Sequence, residues 1–244
     1  TSHRVVFDTS QKIFKDFSSY ENQIEKAVQH LVYYFPKYKY PHKIITYIGP
    51  LDGFGDILSE EAFIIGLQHH LGNFSLYQTE FVRSTYPEYI SDRFKPDYIA
   101  VNCMKIIIDD MYPEKFEDKS LILQMVENGK RLYVLTKLLP DEEEFKLIGY
   151  KEKQLKEAYA SERTIWDLFV QNNFLQTLDN NIIKNYVGES PKTMEFGESS
   201  PGNIGTFAGW QIVKKYMANN PAMGLDALMQ KDAEVIFQEA KYKP

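Results

Sequence analysis

The sequence predicts an α+β protein that is predominantly helical and carries a small sheet near its N-terminus. Apolar residues recur at a helical period in several long segments, whereas two short segments rich in β-branched residues lie in the first third of the chain. No internal repeat, low-complexity tract or Gly/Ser-rich linker interrupts the 244 residues. We therefore expect residues 1–244 to form a single domain in which the sheet packs on a helical core.

One long helix and two strands are predicted before residue 70. Ser18 and Glu21 fit the spacing of a capping box, and apolar residues then follow the helical period as far as Phe35, where a proline ends the run. Strands are expected at 43–48 and 62–67, because both segments are short and apolar. The glycine-rich text GPLDGFG between them predicts a tight turn.

The rest of the chain is predicted to be mainly helical. The stretch 73–96 has no clear period, so we expect an irregular region or a pair of short helices. The expected helices that follow are 97–111, 119–139, 152–159, 162–171, 200–219 and 225–241. In the 200–219 helix, Gly205 and Gly209 leave a strip without side chains. A second helix is therefore expected to approach closely there, which would place this helix at the centre of the core.

Charge and cysteine content narrow the classes of function. The chain has 28 basic and 34 acidic residues, and 28 − 34 gives a net charge of −6, which opposes binding to nucleic acid. Cys103 is the only cysteine, and in its apolar run it is expected to pack as a small hydrophobic side chain. No apolar run reaches the roughly 20 residues that cross a bilayer. The first residues, TSHRVVFDTSQ, do not resemble an export leader.

Histidine spacing bears on metal chemistry. A helical zinc site needs two histidines four residues apart, with a glutamate between them as general base. The five histidines are His3, His30, His42, His69 and His70, and no two of them have that spacing. His69 and His70 are adjacent, so their side chains diverge on either a strand or a helix. We expect no metal site and no cofactor.

Other catalytic patterns are also missing from the sequence. The nucleophile pattern GxSxG does not occur, and GPLDGFG has neither the order nor the Lys-Ser/Thr ending of a phosphate-binding loop. Asp109 with Asp110, and the acidic run 141–144, lie at the ends of predicted helices next to prolines. Such carboxylates are usually solvated rather than catalytic. No catalytic residues are therefore predicted.

Several separate blocks of sequence resemble the GldB-type gliding-motility lipoproteins of Bacteroidetes. These blocks are HLVYYFP, IIGLQHHLG, YPEYISDRFKPDYIAVNCMK, LILQMVENGKRLYVLTKLLP, IGYKEKQLK, IWDLF, SPGNIGTFAGWQIVKKYM and KYKP. They occur in this order and cover nearly the whole chain from about Asp16 onward. The resemblance implies a cell-envelope protein, in the periplasm or at the cell surface, held by a lipid anchor upstream of Thr1.

That family in turn resembles zincin-like exported peptidases, which implies a zincin-like scaffold whose metal ligands have been lost. On this resemblance the metal motif would fall on Asn102, Cys103 and Ile106, or one residue earlier on Val101, Asn102 and Lys105. Neither set of side chains can hold zinc. Glu127 stands close to the place of the acidic third ligand, and it is expected to be a surface carboxylate or to bond to a neighbour.

The resemblance leads to three hypotheses of function. The first is a non-catalytic envelope component that binds a protein or glycan partner through the old peptidase cleft or through the 73–98 region. His69, His70, Tyr86 and Tyr89 are its candidate contact residues. The second is a hydrolase with rearranged chemistry that draws on Glu127, His69, His70 or Cys103. It requires these side chains to lie close together in space. The third is a glycan-binding surface module, suggested by the 17 tyrosines.

Overall fold

The computed structural model describes residues 2–190, 192–197 and 200–244. The chain forms two compact units, residues 1–111 and 112–244. The predicted combination of a predominantly helical fold and a small sheet is confirmed. The expectation of a single domain over residues 1–244, and that of a zincin-like scaffold, stay predictions. Within the described residues, no helix has both the length and the apolar character that a membrane-spanning segment needs.

Over residues 2–111, the first unit holds five α-helices and a three-stranded sheet. Its elements are α1 (Ser2–Ile13), α2 (Ser18–Tyr34), β1 (Lys43–Tyr47), β2 (Ile57–Leu58), β3 (Ala62–Gly66), α3 (Glu80–Thr85), α4 (Glu88–Ser91) and α5 (Ile99–Met111). Strand β3 lies in the middle of the sheet, parallel to β1 and antiparallel to β2. Four of its five residues are buried, which agrees with its continuous apolar sequence. The end of β3 is therefore fixed inside the unit.

The start of α2 differs from the prediction. Ser18 is the first helical residue rather than a cap, and the residue before it, Phe17, makes no capping bond through its side chain. The Asp16 carboxylate instead accepts the backbone N–H of Ser18 at 2.9 Å and the Ser18 hydroxyl at 2.5 Å. The predicted capping box between Ser18 and Glu21 is wrong, because an aspartate two residues upstream takes its role.

In its described residues, the second unit contains helices and no strand. Its helices are α6 (Leu121–Leu138), α7 (Glu144–Ile148), α8 (Glu152–Ala160), α9 (Glu162–Gln171), α10 (Asn180–Val187), α11 (Ile204–Asn219), α12 (Leu225–Gln230) and α13 (Ala233–Ala240). The predicted helix 225–241 is two helices. The Asp232 carboxylate accepts the backbone N–H groups of Glu234 and Val235 and so begins α13 as a new helix.

The centre of the second unit is the contact between α6 and α11. Twelve residues of α11 are buried, and a Cβ atom added at Gly209 would overlap the backbone carbonyl of Met125 in α6. A Cβ atom added at Gly129 of α6 would overlap Gly209 in turn. The predicted close approach of a second helix at Gly209, and the central place of this helix, are confirmed.

Candidate functional site

Polar side chains converge just after β3 in the first unit. The ring of His70 is fully buried, and its Nε2 lies 3.0 Å from Asp56 Oδ1 and 2.9 Å from Asp56 Oδ2. The other ring nitrogen, Nδ1, lies 3.2 Å from the backbone carbonyl oxygen of Lys95. Asp56 belongs to the segment between β1 and β2, so this ion pair ties three parts of the chain together.

The hydrogen-bond partners define what His70 can do. Carbonyl and carboxylate oxygens only accept, so both ring nitrogens of His70 face hydrogen-bond acceptors of the protein itself. A ring whose two nitrogens are both engaged in this way, and which is fully buried, has no nitrogen turned toward solvent. The geometry gives His70 a structural role.

Asp56 is the hub of this cluster. Burial raises the pKa of its carboxyl group, but the His70 ring, the Asn102 side chain and the Gly66 backbone N–H together outweigh burial and hold the pKa below its ordinary value. Asn102 Nδ2 donates to Asp56 Oδ2 at 2.9 Å, and the Gly66 amide donates to Asp56 Oδ1 at 3.2 Å. Both carboxylate oxygens are thus engaged, and the buried negative charge is compensated.

Two of the candidate cleft residues on α5 lie beside this cluster. Asn102 contacts Asp56 directly, and Cys103 is 1% exposed. Burial, followed by the nearby charge of Asp56, raises the pKa of the Cys103 thiol. A protonated, buried thiol is a poor nucleophile. Ile106, the third candidate on this helix, is half-buried and brings no reactive group.

His69 sits in a different environment from its neighbour. Its Nε2 lies 3.0 Å from the carbonyl oxygen of Leu51 and donates to it. The ring stacks on Phe94 with centroids 4.6 Å apart and meets the edge of Tyr86 at 5.1 Å. Burial lowers the pKa of His69, so the ring is a neutral element of an aromatic cluster.

The four predicted contact residues differ in their exposure. His69 is 7% exposed and His70 is 0% exposed, so neither side chain is available at the surface of the unit. Tyr86 and Tyr89 are partly exposed, and the Tyr86 hydroxyl donates to the Gly53 carbonyl at 3.0 Å. A contact surface that includes the two tyrosines stays a prediction.

Glu127 belongs to the second unit. Its carboxylate pairs with Lys119 at 2.9 Å and with Lys130 at 2.8 Å. Lys130 is buried and also donates to the carbonyl oxygens of Met229 and Lys231 at 3.1 and 2.9 Å. Burial lowers the pKa of Lys130, while the pairing with Glu127 opposes that shift. Glu127 therefore helps to compensate a buried cation that joins α6 to the end of α12.

A metal site would need several ligating side chains close together within the part of the chain that the structure describes. No group of three or more His, Cys, Asp or Glu side chains there has the arrangement of a metal site. The second unit contains a recess of about 220 Å³. Buried Ala158, Ile165, Pro201 and Ile204 contribute to its lining, with Glu157 among the polar groups. None of the candidate residues from the sequence lines this recess.

Sequence reasoning missed Asp56 and Gln68. Two adjacent histidines at the end of an apolar strand require buried acceptors, and the preceding turn supplies Asp52 and Asp56 as candidates. Nothing in the sequence decides between these two aspartates. The buried Gln68 gave no signal at all, although its side chain both donates to and accepts from the turn.

Fold and site together define an α+β protein whose most reactive side chains are committed to internal hydrogen bonds and ion pairs. A comparison with protein families matches residues 1–244 to the family described as gliding motility protein GldB. The chain belongs to this family and is related to gliding motility. Comparisons with curated proteins and with solved structures gave no match.

Proposed function

We propose that this chain is a non-catalytic binding or scaffold component of the gliding or surface-secretion machinery in the cell envelope. In this proposal a lipid anchor upstream of Thr1 holds the protein at the membrane, and a protein of the envelope is its partner. The observation that supports this proposal most directly is the hydrogen bonding of Asp56. Its carboxylate oxygens are occupied by hydrogen bonds from His70, Asn102 and Gly66, so the carboxylate contributes to the structure of the unit.

The same observation weighs against the hydrolase alternative. His70 and Cys103 do lie around Asp56, but both ring nitrogens of His70 are occupied and the thiol of Cys103 is buried. Acid–base catalysis needs a group that can exchange a proton with a substrate within hydrogen-bond reach. No specific observation favours the glycan-binding alternative. Several of the tyrosines that suggested it use their hydroxyls in hydrogen bonds within the protein.

The test is complementation of a strain from which the gene has been deleted. The double variant Cys103→Ala/Glu127→Gln removes the thiol and the carboxylate that a rearranged hydrolase would use. We expect it to restore gliding to the wild-type level once its amount at the cell surface matches wild type. Wild-type chain and empty vector serve as controls. A folded double variant that leaves the cells non-motile would overturn the non-catalytic assignment.

A further inference from the structure

The turn between β1 and β2, residues 49–55, has two large apolar side chains, of which one is buried and the other is exposed. Leu51 is 6% exposed and packs in the core cluster with Val6 and Tyr77. Phe54 is 82% exposed. Burying a phenylalanine side chain is favourable, and this fold leaves the ring at the tip of the turn in solvent.

The backbone of the 49–55 turn is held by hydrogen bonds from surrounding side chains. The His69 ring donates to the carbonyl oxygen of Leu51, and the Tyr86 hydroxyl donates to that of Gly53. The Gln68 amide and the Tyr47 hydroxyl both contact the carbonyl oxygen of Phe54. The Tyr47 hydroxyl also contacts the carbonyl oxygen of Gly55. The Gly49 amide in turn donates to the Gln68 side chain at 2.9 Å. These bonds fix the turn on both sides of Phe54, so the exposed ring is presented from a rigid support.

Rigid presentation of an aromatic ring favours binding. A turn that is already ordered loses little conformational entropy when it meets a partner. Aromatic rings that fill a pocket are frequent among the residues that dominate the energy of an interface. Two buried polar residues of the first unit would then also support binding, because Gln68 and His69 donate hydrogen bonds to the carbonyl oxygens of Phe54 and Leu51 and so hold the turn in place.

Charge around the turn indicates the chemistry of the partner. Between residues 44 and 82 there is no Lys or Arg. Of the acidic residues in that stretch, Asp56 pairs with His70 and Glu61 pairs with Lys43, and the others are Asp52, Glu60 and Glu80. Asp52 is exposed two residues before Phe54. Lipid surfaces attract segments rich in Lys and Arg, so this turn is poorly suited to a membrane. Its charge complements a protein pocket with basic groups at the edge.

We propose that Phe54 is the docking anchor of this protein and inserts into an apolar pocket, edged by Lys or Arg, on an envelope protein. This inference deepens the proposed function and rests on it, since it names the contact element of the scaffold. The hydrogen-bonded 49–55 turn is the support that orients the ring.

The first experiment uses the full-length protein in living gliding cells. The photoreactive amino acid p-benzoylphenylalanine is incorporated at position 54, and the adduct after irradiation is mapped by mass spectrometry. We expect one protein partner, crosslinked inside an apolar pocket with Lys or Arg at its edge. An adduct with phospholipid, with a second copy of this chain, with a pocket lacking basic groups, or no adduct at all would overturn the proposal.

The second experiment measures affinity of the purified crosslinked protein for variants of this chain. Phe54→Ser should weaken binding by at least about 30-fold, the effect of losing a dominant interface residue. Tyr47→Phe keeps the ring but removes the hydroxyl that contacts the carbonyl oxygens of Phe54 and Gly55, so a smaller loss of about 3- to 10-fold is expected. Tyr33→Ser changes an aromatic residue that is 77% exposed on α2, and it should bind as wild type does.

The outcomes separate the two proposals. Equal affinities of Phe54→Ser and wild type, or an equal loss for Tyr33→Ser, would overturn the docking role of Phe54 while the scaffold function stands. Loss of gliding in the Cys103→Ala/Glu127→Gln strain would overturn the scaffold function without changing the affinity measured for Phe54→Ser.

Discussion

The buried pair of His70 and Asp56 sets the chemistry of the first unit at the residue scale. Two charges taken out of water are expensive unless each is paired and hydrogen-bonded. Here the Asp56 carboxylate also accepts hydrogen bonds from the Asn102 side chain and the Gly66 backbone N–H. The His70 ring is also hydrogen-bonded to the Lys95 carbonyl oxygen. Removing one member leaves the others buried without compensation.

His70→Gln should therefore destabilise the protein by about 3–5 kcal/mol, the usual effect of breaking a buried ion pair. The measurement is the free energy of unfolding from urea denaturation. His3→Gln is the matched control, because His3 is exposed and surface changes usually stay within about 0.5 kcal/mol. An equal stability of His70→Gln and wild type would show that the pair does not hold the fold.

The pKa of His69 predicts a pH dependence of stability. Burial lowers this pKa in the folded protein, so the unfolded chain binds the proton more tightly. The stabilising contribution is then complete above the unfolded value of about 6.5 and declines as the pH falls below it.

Urea denaturation at about pH 7.5 and about pH 5 tests this dependence. Wild type should lose more unfolding free energy between the two pH values than His69→Gln, which has no ring to titrate. If the two proteins lose the same amount, His69 is not the source of the pH dependence.

At the scale of elements, the closest contact is the one between α6 and α11. Gly209→Ala would force its Cβ atom into the carbonyl of Met125, and this oxygen cannot move without moving helix α6. We expect a loss of about 1–3 kcal/mol or more in the free energy of unfolding. Gly224→Ala is the control, since an added Cβ meets no atom within 4 Å there, and its effect should stay below about 1 kcal/mol. Equal effects would show that the two helices are free to separate.

The elements that could be predicted share one property, which is a clear apolar period or a strongly apolar run. Helices α2 and α11 and strand β3 belong to this group. Helix α1 could not be predicted, because its apolar residues are consecutive and only Val6 among them is buried. Strand β2 has two residues and exists only through its pairing with β3, a tertiary effect that local sequence does not encode.

The candidate site shows the same limit. Cys103 was expected to be buried, and it is; Glu127 was expected at the surface or bonded to a neighbour, and it bonds to two lysines. The partner of His70 could not be predicted, since Asp56 lies in a separate element and pairing depends on how β2 and β3 meet. Sequence reasoning thus identified the histidines and missed the carboxylate that determines their role.

For the whole molecule, the chain belongs to the gliding-motility GldB family, and our proposal is that its buried polar groups serve structure and its surface serves binding. Under this proposal, gliding should follow the amount of folded protein in the cell envelope, whichever buried polar group has been changed. In a catalytic protein, loss of the central imidazole would instead abolish activity in molecules that are still folded.

The most direct measurement is the gliding speed of deletion cells that carry His70→Gln, compared with cells whose wild-type chain has been adjusted to the same folded amount at the surface. This comparison removes the effect of stability and leaves only the effect of chemistry. We expect equal speeds in the two strains. Non-motile cells with a normal amount of folded His70→Gln chain would contradict it.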